Sequence, residues 1–218
     1  MTLEDIIAEF RRVRQDAQSP YLWSDEEITA YVNDAVNEAC ERALLIEDRT
    51  TSSVCAITLV IGQSSYPLHD AIVKVKRVAL DGVVLRETSS EQMDRQDAYW
   101  ETRTGKPRAY LLESNIGIRF DSKPTSAQTA ALTVYRTPLA SLIADNQSAS
   151  PEVKTLYHLR LMPWVYRCAL LKQDSEVFDQ NEAEKQEAAF TRNFGERPDA
   201  NVQRKRRDQR PPVTKMIF

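Results

Sequence analysis

The sequence contains few of the features expected of an enzyme, a membrane protein or a secreted protein. Gly is scarce, with 5 among 218 residues, and there is no Gly-rich phosphate loop, no G-x-S-x-G and no H-E-x-x-H. No apolar run approaches the ~20 residues that span a bilayer, and the acidic N-terminus is unlike a secretory signal. We therefore expect a soluble, non-enzymatic protein that binds no cofactor and is made in the cytoplasm.

The candidate chemical groups are also few. Three cysteines lie far apart without a C-x-x-C pair, which favours reduced core residues: Cys40, Cys55 and Cys168. His69 and His158 are interpreted as structural or surface residues. The acidic groups Asp94 with Asp97, and Glu182 with Glu184 and Glu187, are typical of solvated helix surfaces rather than of a metal or acid–base site. Trp100 and Trp164 are predicted in the core rather than stacked on bases.

Charge is distributed unevenly along the chain. Residues 197–218 include seven basic and two acidic side chains, whereas the rest has 22 basic and 30 acidic. The run Arg204-Lys205-Arg206-Arg207 has three interpretations: a solubilising end, a contact with nucleic-acid phosphates, or a segment that orders on an acidic protein groove. The apolar ending Met216-Ile217-Phe218 favours docking on a protein, because a phosphate backbone offers no apolar pocket.

One stretch, Trp23 to Ile46, predicts a long amphipathic helix of about 23 residues and roughly 35 Å. Ser24 and Glu27 form a capping box at its start, and Trp23 with Ile28 occupy the positions of a hydrophobic staple. Its opposite face is acidic and polar. The apolar positions recur at steps of three and four: Ile28, Tyr31, Val32, Ala35, Val36, Ala39, Cys40, Ala43 and Leu44.

The remaining chain predicts an α+β fold. A helix stripe from Leu3 to Val13 precedes the long helix, and six short strands with tight turns follow it, including a strand over 54–61 and an Asp81-Gly82 hairpin. Ser150-Pro151 predicts the start of a helix that contains Trp164, and a last helix runs to Gly195. We predict a discontinuous helical bundle (1–48 and 150–195), an inserted antiparallel β-sheet or small sandwich (50–137), a linker (138–149) and an extended basic tail (196–218).

An ordered series of motifs resembles the head-to-tail adaptor (connector) proteins of short-tailed bacteriophages. The matching motifs, in chain order, are Trp23–Ile28 with Tyr31, Asn33, Ala35 and Glu38; Gly62–Leu68; Arg77-Val78 with Leu80–Gly82; Trp100 with Gly105–Pro107; Tyr135–Pro138; and Phe194-Gly195. The series extends over nearly the whole chain.

The resemblance implies a structural protein at the head–tail junction of the virion. Its subunits would form a dodecameric ring beneath the portal protein, extend the channel for packaged DNA without reading its sequence, and present a surface to a tail or nozzle protein, with no membrane partner. The C-terminal segment would bind the portal through Arg197, Arg204, Lys205, Arg206, Arg207, Arg210, Lys215, Met216, Ile217 and Phe218. The structural core would include Trp23, Ser24, Glu27, Ile28, Tyr31 and Trp164.

Two other functions stay open at this point. One is a nucleic-acid-binding module that uses the basic C-terminal tail, and the other is a hydrolase of cell-wall or nucleic-acid substrates, for which no carboxylate pair stands out.

The nucleic-acid alternative makes a direct prediction. Binding should weaken steeply with salt, because released counterions drive the association, and substitution of Arg204, Lys205, Arg206 and Arg207 with Ala should flatten that dependence. A salt titration of DNA binding by both proteins measures it, and an unchanged slope rejects this alternative.

Overall fold

The computed structural model describes residues 1–113, 117–173 and 178–198, and these form two compact units. Residues 1–47 and 136–197 make up the first, which we call the helical unit. Residues 48–135 make up the second, the β unit. The predicted α+β class is confirmed.

The elements are numbered in chain order. The helices are α1 (Leu3–Arg14), α2 (Asp25–Ala43), α3 (Ser52–Cys55), α4 (Ser90–Gln96), α5 (His158–Leu170) and α6 (Gln180–Phe194). The strands are β1 (Ile46–Asp48), β2 (Ala56–Leu59), β3 (Ser65–Pro67), β4 (Ile72–Leu80), β5 (Val83–Val84), β6 (Arg86–Glu87), β7 (Ala109–Glu113), β8 (Gly117–Phe120) and β9 (Gln128–Arg136).

Capping boxes start both N-terminal helices. In α2 the Ser24 amide donates to Glu27 Oε2 (3.0 Å) and the Glu27 amide donates to Ser24 Oγ (3.2 Å), which confirms the predicted box. Thr2 and Asp5 form an equivalent pair at the start of α1. In each case two backbone amides that lack helical partners are satisfied by side chains.

The long helix is shorter than predicted. It ends at Ala43, because Leu44 adopts a left-handed conformation (φ 53°, ψ 49°) and its amide donates back to the Cys40 carbonyl at 2.9 Å. With 19 residues α2 is about 28 Å long. The prediction that it continues to Ile46 was wrong, since the αL cap turns the chain out of the helix.

A single core holds the helical unit together. The helix with Trp164 packs on the apolar stripe of α2, and the N-terminal helix contributes to the same cluster, although Val13 at its end is exposed. The buried members of this core are Leu3, Ile6, Ile7, Phe10, Trp23, Ile28, Val32, Ala35, Val36, Ala39, Cys40, Val153, Leu161, Met162, Trp164, Val165, Ala169, Phe190 and Phe194. Burial raises the pKa of the Cys40 and Cys168 thiols to about 12, so neither is a reactive thiolate at neutral pH.

Ser150-Pro151 does not start a helix, which corrects that prediction. The α5 helix begins at His158, after a 3₁₀ turn over Thr155–Tyr157. The preceding residues are used elsewhere: the Leu3 amide donates to the Ala149 carbonyl (2.7 Å), and the Glu4 amide donates to the Gln147 carbonyl (3.0 Å). The segment therefore satisfies free amides at the start of α1.

The β unit contains two sheets. In the first, β9 pairs with β2 in antiparallel register, from Ala56 opposite Ala131 to Leu59 opposite Gln128, and β9 is also the neighbour of β4, which pairs with β5. The second has the order β3-β8-β7-β6 and is antiparallel except for β6 with β7. The predicted hairpin at Asp81-Gly82 is confirmed, with φ of 50° and 78° at the two turn residues.

The strand predicted over 54–61 is only partly present. One helical turn, α3, occupies Ser52–Cys55, and the strand β2 is limited to Ala56–Leu59. Asp48 Oδ1 accepts from the Thr50 amide (2.9 Å) and the Thr51 amide (3.1 Å), which forms a turn directly before the helical one. Apolar alternation cannot reveal such a turn, and Val60 and Ile61 at the other end are exposed.

A small satellite core in the β unit contains Met93, Trp100 and Leu111. Met93 belongs to α4 and Trp100 to a 3₁₀ turn over Trp100–Thr102, and both are buried, as predicted for Trp100.

The caps give the first structural prediction. Ser24→Ala should lower the free energy of unfolding by about 1 kcal/mol, because the Glu27 amide loses its acceptor. Ser150→Ala is the matched control: the sequence suggests a cap at both serines, but Ser150 caps no helix, so its effect should stay within about 0.5 kcal/mol. Urea unfolding followed by far-UV circular dichroism measures both, and equal losses would contradict the assignment.

Candidate partner-binding site at the base of the C-terminal segment

The C-terminal segment leaves the helical unit at the end of α6. The helix ends at Gly195, whose φ of 87° suits glycine and whose amide donates to the Thr191 carbonyl at 2.8 Å. Among the residues predicted to bind the portal, Arg197 is described. The other nine, from Arg204 to Phe218, lie outside the described residues.

Arg42 of α2 is at the centre of the contacts that hold this exit point. Its side chain is only 2% exposed and forms an ion pair with Glu38 at 2.7 Å. The same guanidinium donates to Thr191 Oγ1 (3.0 Å) and to the Gly195 carbonyl (3.2 Å). One buried cation therefore ties α2 to the last turn and the cap of α6.

Aromatic rings form the apolar side of this cation's environment. The Arg42 guanidinium lies 5.1 Å from the ring centroids of both Trp164 and Phe190. Arg167 lies 4.6 Å from the Trp164 ring and forms an ion pair with Glu187 at 2.8 Å. Cation–π contacts of this kind help to compensate a guanidinium for lost water.

Glu38 is the matching buried anion and is 5% exposed. Besides Arg42 it pairs with Arg197, whose Nη2 lies 3.2 Å from Glu38 Oε2. A carboxylate at this depth is costly unless it is paired, and here two guanidinium groups flank it. Arg197 itself is 67% exposed, so it spans from the buried pair to the surface where the segment leaves.

Glu38 is an acidic residue outside the apolar stripe of α2, and the structure buries it. The sequence does contain a signal for the pair, because Glu38 and Arg42 are four residues apart on a helix. It contains no signal for the third member, since Arg197 is remote in sequence and only the packing of α6 brings it to Glu38. Arg197 was predicted as a portal contact; the structure places it in this intramolecular ion pair.

The residues predicted as structural core lie in α2 and α5 or directly before α2. Trp23, Ile28 and Trp164 are buried, and Tyr31 packs partly buried against the same cluster. Trp164 Nε1 donates to Asp34 Oδ2 at 2.6 Å, which links α5 to α2.

Ser24 and Glu27 make the cap of α2, and Glu27 has a second role. Lys172 Nζ donates to Glu27 Oε2 at 3.1 Å and, more than the Ser24 amide, holds the pKa of Glu27 below its ordinary value. The bond from Lys172 to the ionised Glu27 therefore stabilises the folded protein at neutral pH. This stabilisation is lost as the pH falls through the lowered pKa of Glu27.

The acidic groups considered for chemistry have structural partners. Asp94 accepts from Trp100 Nε1 (2.8 Å), Asp97 pairs with Arg103 (2.6 Å), and Glu182 pairs with Lys185 (3.1 Å). Within residues 1–113, 117–173 and 178–198 there is no group of three potential metal ligands. No helix in those ranges is long and apolar enough to span a bilayer.

The two histidines lie in different environments. His69 is exposed, and its Nδ1 accepts from the Ala71 amide at 3.1 Å. His158 is buried, with its two ring nitrogens 3.1 Å from the Met1 carbonyl oxygen and 3.0 Å from that of Val153.

The ion pair gives the second structural prediction. Glu38→Ala should destabilise the protein by about 3 kcal/mol, because Arg42 stays buried without its counter-charge. Arg197→Ala should cost less than about 1 kcal/mol, since that side chain is largely exposed. Glu41→Ala is the control, because Glu41 is an acidic residue of α2 that is exposed. Its change in the free energy of unfolding should stay within about 0.5 kcal/mol. Urea unfolding of the four proteins decides it, and an Arg197→Ala loss as large as that of Glu38→Ala would refute the ranking.

Comparisons with known proteins give two kinds of match. The profile of one family, described as SU10 adaptor protein, matches residues 1–215. Curated relatives are small ribosomal subunit proteins uS3. The one from Cereibacter sphaeroides (strain ATCC 17025) is 27% identical over 131 residues, which is 57% of this chain and 55% of the relative. The one from Dinoroseobacter shibae is 26% identical over 134 residues, or 59% of this chain and 56% of the relative.

The ribosomal matches are partial. The chain spans about half the length of the curated relatives it matches, and the identity is low. Such a likeness does not define a family for this chain, whereas the adaptor profile extends over nearly all of it.

Proposed function

Because the chain belongs to the SU10 adaptor protein family, we propose that it is a head-to-tail adaptor subunit of a bacteriophage virion. In this proposal twelve copies form a ring beneath the portal, lengthen the DNA channel and present the attachment surface for a tail or nozzle protein. The single observation that supports it most is the family match over residues 1–215.

The geometry of the exit point supports portal attachment through the C-terminal segment. The Arg42 and Arg197 contacts with Glu38 hold the start of the segment against α2 and α6. The segment that follows is basic and ends in three apolar residues. A fixed origin reduces the entropy lost when such a segment binds a partner, because fewer arrangements have to be excluded.

The charge of the helical unit supports the channel role. Residues 1–47 and 136–197 include 20 acidic and 12 basic side chains, whereas residues 48–135 include 10 acidic and 11 basic. An acidic surface repels DNA phosphates, so DNA can pass a ring of such units without adhering to it.

Removal of residues 199–218 tests the attachment role. This truncation keeps Arg197 and its ion pair, so the far-UV circular dichroism spectrum should match that of the full chain. Attachment to portal-bearing capsids, measured by co-sedimentation, should fall to background. A full-length control with Met216, Ile217 and Phe218 changed to Ser separates the apolar end from the basic run and should also bind poorly.

Two outcomes would overturn this proposal. Normal capsid decoration by the folded truncated protein would exclude the segment as the portal contact. A full-length protein that ignores portal rings but forms a complex with DNA, seen as a change of mass in solution, would favour the nucleic-acid function instead.

A further inference from the structure

A groove lies beside α2 in the helical unit. It has a volume of about 500 Å³ and is enclosed by α2 and the segment 138–152. We call it the α2 groove. Pockets of roughly 300–1,000 Å³ bury most of the surface of a drug-sized ligand, and such a ligand is about as large as two or three side chains.

The wall of the α2 groove is firmly held. Asn33 Nδ2 donates to the Leu142 carbonyl (2.9 Å), and the Leu142 amide donates to Asn33 Oδ1 (2.8 Å). Glu152 accepts from the Leu139 amide at 3.0 Å. The stretch predicted as a linker thus forms a fixed wall, and the groove exists before any ligand binds.

The surface of the groove is largely apolar, and one large apolar side chain is exposed at it. Val36, Pro138 and Pro151 contribute to the lining, and Ile143 lines it with 64% of its surface exposed. Exposed acidic residues lie nearby: Glu41 is one helical turn beyond Asn37 of the lining, and Asp145 follows Ile143 closely in the wall. A suitable ligand is apolar at its end and basic next to it.

The chain itself has such a segment. After Pro198 it contains six basic and two acidic residues, and it ends in Met216-Ile217-Phe218. Its basic residues complement the helical unit, where acidic side chains outnumber basic ones by 20 to 12.

The segment is also long enough and starts in a suitable place. Arg197 contacts Glu38 of α2, the helix that also lines the groove with Asn33, Val36 and Asn37. Between Pro198 and Val213 there are 14 residues, which can span at most about 46–50 Å. This exceeds the ~28 Å length of α2, so the apolar end can reach any point along that helix.

We propose that residues 213–218 of the same chain occupy the α2 groove in the free subunit, with the basic run 204–207 along the acidic surface beside it. The groove and an external partner then compete for one apolar end. The free subunit keeps this end covered until a partner with higher affinity displaces it. The proposal does not depend on which partner that is.

Photo-cross-linking of the full chain tests the proposal. Phe218 is replaced by benzoylphenylalanine, which keeps an aromatic end, and the purified subunit is irradiated without any partner. Cross-links mapped by mass spectrometry should fall within residues 138–152 and α2. Mixing isotope-labelled and unlabelled chains distinguishes the source, since occupation by the same chain gives only products of uniform isotope composition.

A matched pair of variants controls for surface chemistry. Ile143→Arg should reduce the cross-link yield about tenfold, because it removes apolar contact and adds like charge. Ile61→Arg changes an equally exposed isoleucine in the β unit (65%) and should leave the yield unchanged. Ala140→Arg is a second groove variant, to be used if Ile143→Arg alters the circular dichroism spectrum.

Three results would overturn the proposal: cross-links outside the groove, equal yields for the groove and control variants, or products of mixed isotope composition, which would identify a second copy as the occupant. Each is measured without portal, so it is independent of the capsid attachment experiment.

Discussion

The buried ion pair between Glu38 and Arg42 is the interaction on which the arrangement of the C-terminal half of the helical unit depends. Both side chains are at most 5% exposed, and an ion at this depth loses most of its hydration. The loss is offset only where several partners are in place together. Here these partners come from α5 and α6 as well as from α2: the Trp164 and Phe190 rings, Thr191, and the Gly195 carbonyl.

This requirement links stability to function. If α6 shifts along α2, the guanidinium loses Thr191 and Gly195 together, so the end of α6 has one favoured position. The point at which the C-terminal segment leaves the unit is fixed by the same contacts. In an adaptor ring, such a fixed origin would present each copy of the segment to the portal at an equivalent position.

The two proposed sites of the segment, the portal and the α2 groove, use the same chemistry. Each requires an apolar pocket with acidic surroundings, because the segment is basic with an apolar end. A free subunit that covers its own apolar C-terminal end, and exchanges that contact for the portal, would be less prone to associate with other copies before the portal is present. The groove wall is prefolded, so the exchange would order or release only the segment.

Local sequence determined the elements whose signals lie within a few residues. The cap at Ser24, the hairpin at Asp81-Gly82 and the glycine stop at Gly195 each depend on one turn of chain, and each was predicted correctly.

Tertiary structure decided three other features. The start of α5 moved from Pro151 to His158, and the residues between them make distant contacts instead: Glu152 accepts from the Leu139 amide, and Val153 is buried in the core of the helical unit. The predicted linker became a wall because Asn33 pairs with Leu142, 109 residues away. Glu38 lies buried beside Arg42, and the packing of α6 brought Arg197 to the same carboxylate. A hydrogen bond or an ion pair between distant residues leaves no periodic mark in the sequence, so only the folded chain reveals it.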